Sequence, residues 1–554
     1  MHSAALRRAL ALAIAGMLAL GGCAATSPTV EWTPPPDFDN ALWGVVQPSD
    51  ATGGTLRVVT THDCLALTPA ESTGGTCRNV QRLLTRQLMA FATAPGREGS
   101  VTVPDLATAA GVPDASRLLW RYQVRSGVTW SDGTDLSINE VAAGVRALAR
   151  RIPGLDVRSV TVTLSTTGGL GDLVVELGSP VGDLDSVLAL PQSAPVHDGP
   201  TAWLGPYVIA SASSGTLERN AHWEAASDPV RRPLPDRIEI ARTDDAETAY
   251  AQVRDGKADV AIDGSLAPSL VQSVFAYPAI ANMADNPGTG RVTMLAVPGY
   301  GHEAWQVADC RRAVFSALDR TAVVDVLAKG IVYPLFAAAP ATSLSAPTIA
   351  SYDKSFEPFD VGPERAGDLG AARALVDACG PTGQRTAVLA IQDTETAQQI
   401  ADVVAASVAR VGIDVEVRRI PLAEWVSTTT SPARLRALGV DWVLMQRIAA
   451  IPGVWGYWYP LVSGDLVGRE PSTNVAQVRI PGVDVLLDSH EIASKDPLML
   501  DSVGRTIDRL TLDSARYIPL AVDKSLLARP AQLTNVETNA GLGNEYDLAN
   551  IGLR

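Results

Sequence analysis

The chain alternates short apolar runs with amphipathic segments, which is the pattern of an α/β protein. Residues 56–60 form a short apolar run after two glycines, and this predicts a buried first strand. Apolar residues recur at helical spacing over 394–411, while the apolar runs 388–391 and 413–417 on either side predict strands. A strand–helix–strand unit of this kind predicts a mostly parallel sheet covered by helices.

Two further elements follow from the same patterns. Residues 441–445 predict another strand, and residues 138–149 predict a helix with a single apolar stripe. The chain contains no internal repeat and no low-complexity block beyond residues 23–52.

The N-terminal segment has the charge-then-apolar order of a secretory signal. Two arginines precede an apolar stretch over residues 9–20, which is too short to cross a bilayer. The stretch ends in Leu-Gly-Gly-Cys at 20–23, which resembles the lipobox of bacterial lipoproteins. The resemblance implies that residues 1–22 are a signal peptide and that Cys23 is lipidated, on the outer face of the cytoplasmic membrane. An ordinary secretory signal with a chance cysteine is the alternative.

The segment that follows, residues 23–52, is rich in proline, serine and threonine. This composition favours extended, unpacked backbone and predicts a tether between the lipid and the body of the protein. Trp32, Phe38 and Trp43 leave an alternative open, because large aromatic side chains can dock on that body.

Composition and charge exclude several classes of protein. Apolar residues make up 46% of the 554 residues and charged residues 19%, which is too hydrophobic for a disordered chain. Lysine and arginine total 45 against 60 acidic residues, so the net charge is −15 and nucleic acid is not an expected partner.

Known catalytic motifs are missing from the sequence. It contains no H-E-x-x-H, C-x-x-C, G-x-S-x-G or Walker motif, and the S-x-x-K at 351–354 has no partner segment. The six histidines are scattered along the chain and form no metal-ligand spacing. We therefore expect a protein that is not an enzyme and that has no metal and no cofactor.

Four separated segments carry the motifs of one family. They lie at 103–107 with 120–133, at 205–207 with 217–223, at 235–238 with 255–260, and at 310–320. The first is similar to "W-x-F-x-L-R-x-G-V-x-W-S-D-G", although its Trp-Ser-Asp-Gly at 130–133 also reads as a plain hairpin turn between buried strands. Together the segments resemble the extracellular solute-binding proteins of ABC importers that bind oligopeptides, dipeptides or nickel.

The resemblance implies an α/β, two-lobed periplasmic-binding-protein-like fold with a hinge and an extra subdomain in the first lobe. The first lobe would comprise 53–297 and 516–554, with 517–520 as the returning hinge-side strand, and the second lobe would comprise 298–515. The protein would be a monomer that captures a peptide or peptide-like ligand between the closing lobes and delivers it to an ABC permease and ATPase complex. The alternative keeps the fold but makes the lipoprotein a binding or regulatory scaffold of the cell envelope.

One stretch departs from the family pattern. Peptide-binding relatives usually carry "G-W-x-x-D-x-x-D-P" after a second-lobe strand, and an aspartate there meets the α-ammonium group of the peptide. This chain has no acid over residues 445–453, and Gln446 and Arg447 are its candidate ligand contacts there. Either the ammonium is held elsewhere or the ligand is anionic, capped or sugar-bearing, unless Arg447 pairs with a neighbouring acid and faces away.

Other candidate ligand contacts follow from residue type and position. Trp455 and Trp458 lie in an aromatic cluster whose rings suit a cleft, although core packing explains them equally well. Thr61, His62 and Asp63 follow the predicted first strand and are the first-lobe candidates, although His62 has the alternative of bonding only to its own loop.

The five cysteines divide into one and four on this interpretation. Cys23 is assigned to the lipid, and an exported protein is expected to pair the other four, for which three connectivities exist. The two-lobe architecture favours Cys64 with Cys77 in the first lobe and Cys310 with Cys379 in the second. A bridge between the lobes would lock the hinge.

Overall fold

A computed structural model describes most of the chain. The described residues are 32–36, 38–66, 68–71, 74–149, 152, 155–165, 169–199, 201–211, 215–262, 266–357, 359, 361–381 and 385–554. The predicted signal peptide and the lipidation site Cys23 therefore lie outside the described residues. Within those ranges, none of the helices has the length and apolar character needed to cross a membrane.

The helices alternate with strands along the chain. In order they are α1 (Asn40–Trp43), α2 (Gly75–Leu84), α3 (Ile138–Ala149), α4 (Leu184–Leu188), α5 (Ala246–Arg254), α6 (Pro268–Ala276), α7 (Pro278–Ala281), α8 (Ala308–Ala317), α9 (Arg320–Leu327), α10 (Leu369–Leu375), α11 (Glu395–Ala409), α12 (Leu422–Thr429), α13 (Pro432–Ala437), α14 (Val454–Val462), α15 (Val483–Leu487) and α16 (Pro497–Asp513).

The strands form two large sheets, a sheet in the subdomain and several short ribbons. In order they are β1 (Thr55–Thr60), β2 (Met89–Phe91), β3 (Thr102–Pro104), β4 (Val112–Pro113), β5 (Leu119–Val124), β6 (Val157–Leu164), β7 (Gly171–Leu177), β8 (Tyr207–Ser211), β9 (Thr216–Arg219), β10 (Arg237–Arg242), β11 (Val260–Ala261), β12 (Ala284–Asp285), β13 (Gly288–Ala296), β14 (Ala338–Pro340), β15 (Thr386–Gln392), β16 (Asp414–Ile420), β17 (Trp442–Ile448), β18 (Tyr517–Lys524), β19 (Leu527–Ala528), β20 (Leu533–Thr534), β21 (Thr538–Asn539), β22 (Glu545–Tyr546) and β23 (Gly552–Leu553).

The first lobe is built on a five-stranded sheet in the order β11-β1-β10-β9-β8. Strand β1 runs parallel to both of its neighbours, β10 and β11. The predicted first strand is confirmed, with Leu56 and Val58 buried in a core that also takes Val536, Tyr546 and Ile551 from the end of the chain. The C-terminal segment therefore completes this lobe.

The extra subdomain carries a four-stranded antiparallel sheet in the order β4-β5-β7-β6. Helix α3 is confirmed with the predicted bounds and packs its stripe of Ile138, Val141, Val145 and Leu148 into the core. The turn at 130–133 joins 128–130 to 134–136, and Trp130 N–H donates to Thr134 O at 2.8 Å. The neighbouring strand β5 pairs with β7 and β4, away from that turn.

The second lobe is built on a six-stranded sheet in the order β14-β18-β13-β17-β15-β16. The predicted strand–helix–strand unit is confirmed as β15, α11 and β16, with the two strands parallel and in register from Thr386↔Asp414. Strand β17 also runs parallel to β15, whereas β13 and β18 run antiparallel to their neighbours. The α/β fold class is thus observed.

The predicted lobe boundaries are wrong at two strands. Strands β13 and β18, assigned from the sequence to the first lobe, pair with each other inside the second-lobe sheet. Both strands carry buried apolar residues, such as Leu295 opposite Ile518. These side chains are removed from water because both faces of the second-lobe sheet are covered. The chain crosses between the lobes just before β13 and just after β18. There Ser525 N–H donates to Pro287 O at 3.0 Å, so the two crossings are bonded to each other.

The predicted tether is also wrong over its second half. Helix α1 docks on the first lobe, where Ala41 is buried and its N–H donates to Asp285 Oδ1 at 2.9 Å. Val46 forms a β-bridge with Val536, and the ring of Phe38 meets the edge of Phe336 at 6.3 Å. Ala41 and Phe38 thus dock on the body, whereas Trp43 stays exposed.

Both predicted disulfide pairs are present. Cys64 is bonded to Cys77 with a Cα separation of 4.8 Å, and Cys310 is bonded to Cys379 with a Cα separation of 4.9 Å. Each bond joins two elements of one lobe, so the hinge carries no covalent link besides the main chain among these four cysteines.

A histidine between two carboxylates stabilises the turn region of the subdomain. His197 Nδ1 lies 2.9 Å from Glu140 Oε1, and its Nε2 lies 3.0 Å from Asp132 Oδ2. Burial opposes protonation, but the hydrogen bonds and charges of Glu140 and Asp132 outweigh it and raise the pKa of His197. Its contribution to stability is therefore complete below the unfolded pKa near 6.5 and is lost as the pH rises through the folded pKa.

We expect His197→Gln to lower the free energy of unfolding by about 1 kcal/mol at pH 6 and by clearly less at pH 9, in urea titrations. His490→Gln is the control, because His490 lies at the surface with its side chain 88% exposed. An equal loss at both pH values would show that the charge of His197 does not matter.

Candidate functional site

A cavity of about 480 Å³ lies at one end of the strands of the second-lobe sheet. The chain crosses to the first lobe at the same end. The carboxyl ends of β15, β17 and β18 meet at this edge with the beginning of β13. Carboxyl ends of parallel strands are the usual place for ligands in α/β sheets. The cavity is lined by Arg291, Thr293, Leu327, Lys329, Ala337, Gln392, Thr394, Thr396, Ala397, Ile400, Trp425, Leu444, Met445, Gln446, Ile448, Asp523 and Lys524.

One end of the cavity is charged. Arg291 of β13 and Asp523 of β18 lie side by side, with 3.5 Å between Nη1 and Oδ2, and the charge of Lys329 also acts on Asp523. Burial raises the pKa of the Asp523 carboxyl to about 6 against the lowering effect of Arg291 and Lys329. Burial likewise lowers the pKa of Lys524 to about 8. Lys524 is the next residue of β18, so its side chain lies on the opposite face of the strand, and the charges that act on it are those of Asp39 and Lys354.

The opposite end of the cavity is apolar. Helix α11 contributes Ala397 and Ile400, and helix α12 contributes Trp425, whose side chain is half-buried. Thr394 is the N-cap residue of α11, and its side-chain oxygen accepts a hydrogen bond from the Ala397 N–H at 3.2 Å. This cap fixes the beginning of the helix against the end of β15. This end offers an indole face and two aliphatic side chains to a ligand.

The floor between the two ends is polar. Gln446 of β17 and Thr293 of β13 are paired across the strands, with 3.5 Å between Nε2 and Oγ1. Gln392 at the end of β15 continues this row. Gln446 is therefore the one sequence-predicted contact that lines the cavity.

Arg447 points to the opposite face of the sheet, because neighbouring residues of a strand alternate. Its Nη2 donates to the carbonyl oxygen of Tyr457 at 2.8 Å, and its guanidinium lies 5.5 Å from the centre of the Tyr457 ring. Burial lowers the pKa of Arg447. Arg447 thus faces away from the cavity, and carbonyl oxygens of α14 take the place of the neighbouring acid.

Trp455 and Trp458 lie in the core, with exposed fractions of 5% and 0%. The Trp455 ring stacks on Tyr459 at 4.8 Å. The indole also presses on Gly182 of the subdomain, where an added Cβ would lie 2.3 Å from Trp455 Cδ1. The structure therefore places both tryptophans in the core, with Trp455 packed against the subdomain at Gly182 and Trp458 against the ring of Tyr457.

Thr61, His62 and Asp63 follow β1 at the carboxyl edge of the first-lobe sheet, as the sequence predicts. The loop is tied to the next strand, because Arg242 Nε donates to Thr61 O at 3.4 Å. His62 and Asp63 are exposed. These residues are not among those around the second-lobe cavity, so the structure does not bring them together with Gln446.

Sequence reasoning missed the charged end of the cavity. Arg291, Asp523 and Lys524 lie in strands that the sequence assigned to the wrong lobe, so their proximity was invisible. A signal existed in the scarcity of lysine, since the chain has five lysines and two of them line this cavity. Among the described residues, no group of three His, Cys, Asp or Glu side chains is arranged to hold a metal ion.

Comparisons with known proteins identify the family and the fold. Residues 101–467 match the model described as "Bacterial extracellular solute-binding proteins, family 5 Middle". A solved structure named clavulanic acid biosynthesis oligopeptide binding protein 2 is 30% identical, with a TM-score of 0.80 over 94% of this chain and 99% of that one. No curated protein sequence matches the chain.

Two further solved structures share the fold at lower identity. The periplasmic murein tripeptide-binding protein MppA, in an unliganded open form, is 16% identical with a TM-score of 0.68 over 92% of this chain and 99% of that one. The oligopeptide-binding protein AppA of Bacillus subtilis, in complex with a nonapeptide, is 16% identical with a TM-score of 0.59 over 91% and 99%. The predicted two-lobed periplasmic-binding-protein fold is confirmed.

Proposed function

Because the chain belongs to the bacterial extracellular solute-binding proteins of family 5, we propose that it captures a peptide or peptide-like solute outside the cytoplasmic membrane and delivers it to an ABC permease. In this proposal Cys23 carries the lipid anchor, and the protein binds its solute without catalysing a reaction. The names of the oligopeptide-binding relatives support the solute class.

The cavity at the second-lobe sheet edge is the observation that carries this proposal. Its volume of about 480 Å³ lies within the range of small-molecule sites, and its lining combines apolar, polar and charged side chains. A cavity of this size can hold a short peptide or a compound of similar size.

The hinge provides the coupling between binding and delivery. The lobes are joined by two hydrogen-bonded crossings, so they can close over the cavity without breaking either sheet. A solute that contacts both lobes only when they are shut shifts the population to the closed form, which is the form presented to the permease. Thr61, His62 and Asp63 remain the predicted contacts from the first lobe.

Mass spectrometry of natively purified and then denatured protein tests the proposal. We expect a small solute to be released, and we expect the stripped and refolded protein to gain about 2.7 kcal/mol when that solute is present at 100 times its Kd. Protein denatured and refolded without solute is the control. If nothing is released, and if no peptide raises the unfolding temperature, the alternative role as an envelope scaffold is favoured.

A further inference from the structure

Helix α12 carries an apolar stripe, formed by Leu422, Trp425 and Val426, on its outer side. Leu422 is three and four residues from the other two, so the three side chains are neighbours on the helix surface. Leu422 is 65% exposed and Val426 is 69% exposed, whereas Trp425 is half-buried. Single exposed apolar side chains are common on protein surfaces, but a group of neighbouring ones points to a binding surface.

The packing of α12 on the body of the protein does not explain the stripe. A helix of eight residues is marginal by itself and normally owes its stability to the burial of an apolar face. The buried residue of α12 is Thr428, which is polar, and the positions from 422 to 427 other than Trp425 are exposed. The stripe therefore presents apolar surface that the fold leaves open to water.

The stripe is continuous with the apolar end of the cavity. Trp425 lines the cavity, and the other two members of the stripe are its neighbours on the same helix. The chain enters α12 from the end of β16, where Asp393 N–H donates to Ile420 O at 2.8 Å. This bond holds the beginning of α12 beside the end of β15, at the edge of the sheet where the cavity lies. Ile448, which is 51% exposed, extends the apolar lining at the end of β17.

The first lobe does not cover the stripe. The two lobes are already in contact, because Arg78 Nη2 of α2 donates to Ala450 O at 3.0 Å and Arg97 Nη1 donates to Tyr352 O at 2.6 Å. The stripe is exposed in this arrangement nonetheless. Its continuity with the cavity points to the solute as the group that covers it.

Building on the proposed function, we propose that the solute is apolar over the part that reaches the mouth of the cavity, as in a peptide with successive bulky aliphatic side chains. One aliphatic side chain packs on the indole of Trp425, and the next lies over Leu422 and Val426. The backbone of the solute contacts the polar floor at Gln446. Each aliphatic side chain that is removed from water strengthens binding, so the site selects apolar peptides over polar peptides of the same length.

Calorimetric titration with two tripeptides tests the inference. Trileucine and triserine have the same backbone, length and terminal charges, and they differ only in the apolar surface of their side chains. We expect trileucine to bind at least about 10-fold more tightly to protein that has been stripped of co-purified solute and refolded. Equal affinities for the two tripeptides overturn the inference and leave the proposed function standing.

Combining Leu422→Ser with Val426→Ser is expected to weaken binding of trileucine by about 10-fold and to leave binding of triserine unchanged. Both side chains are exposed, so the unfolding temperature of the solute-free protein should stay within a few degrees of wild type. Leu498→Ser with Val485→Ser is the matched control, because these side chains are 79% and 74% exposed and do not line the cavity. Full retention of trileucine affinity by the 422/426 variant overturns the inference.

Light scattering of the solute-free protein distinguishes the solute from a second copy of the chain as the occupant. A wild-type dimer that becomes a monomer in the 422/426 variant would assign the stripe to self-association and would overturn the inference. Binding of neither tripeptide also overturns it. The proposed function is then decided separately, by whether a solute is released in the mass-spectrometric experiment.

Discussion

Replacing Asp105 by Asn is expected to lower the free energy of unfolding by about 3 to 5 kcal/mol. Asp105 lies in a buried group of two acids and two arginines, in which every side chain is at most 1% exposed. Its two oxygens lie 2.8 Å from Arg86 Nε and 3.0 Å from Arg231 Nη1. Removing its charge leaves two buried guanidinium groups facing Asp228 alone.

Urea unfolding followed by tryptophan fluorescence measures this loss. Asp236→Asn is the matched control, because the Asp236–Arg219 pair has a similar separation of 3.3 Å but side chains that are 66% and 38% exposed. Exposed pairs contribute about 0 to 1 kcal/mol, so this variant should stay close to wild type. A loss below 1 kcal/mol for Asp105→Asn would show that the buried group is not needed for stability.

Removing the second-lobe disulfide is expected to have the next largest effect. Cys310 and Cys379 are separated by 69 residues, whereas Cys64 and Cys77 are separated by 13. Loop-closure entropy of the unfolded chain then predicts a loss of roughly 4 kcal/mol for the first pair and roughly 3 kcal/mol for the second. Paired Cys→Ala substitutions are suitable, because all four cysteines are buried and alanine adds no polar group.

Urea midpoints under non-reducing conditions give both losses. Solute binding should persist in both double variants, because neither bond joins the lobes. Alkylation of the denatured, unreduced wild-type protein is the control for the pairing. Free thiols at any of the four positions would contradict it, and a larger loss for the 64–77 pair would contradict the entropic explanation.

This chain has no acid over residues 445–453, where the family motif carries them, and the acid that lines the cavity is on another strand. The second-lobe strand β17 ends in the exposed Ile448, and the cavity's acid stands instead on β18. In the sheet order β18 is two strands away from β17, at about 10 Å. The acid that lines the cavity therefore lies on a different strand from β17, within the same sheet.

The predictable parts of the fold are those in which a local pattern and the tertiary environment agree. Helix 138–149 and the unit β15-α11-β16 were predicted because their apolar residues repeat with the period of the element and face one core. The disulfide pairs were predicted from the hinge that the family resemblance implies. The predicted lobe boundaries were wrong, because the apolar pattern of a strand does not indicate which of two sheets the strand joins.

The site was predictable only in part, for a related reason. Gln446 and Arg447 are adjacent in the sequence, but the side chains of neighbouring strand residues point to opposite faces of the sheet. Gln446 therefore lines the cavity, whereas Arg447 donates to carbonyl oxygens of α14. The sequence also could not distinguish the buried Trp455 and Trp458 from ring faces lining a cleft, because both environments favour the same side chains.

The sequence by itself determined the family, the α/β class, the periodic elements and the cysteine pairing that an open hinge requires. The elements rest on periodicity within one segment, the family rests on four separated motifs, and the cysteine pairing rests on the hinge that the family resemblance implies. The tertiary structure alone decided that Arg291, Lys329 and Asp523 share one end of a cavity. Those residues come from segments about 40 and 200 positions apart, and the pairing of β13 with β18 brings Arg291 within 3.5 Å of Asp523.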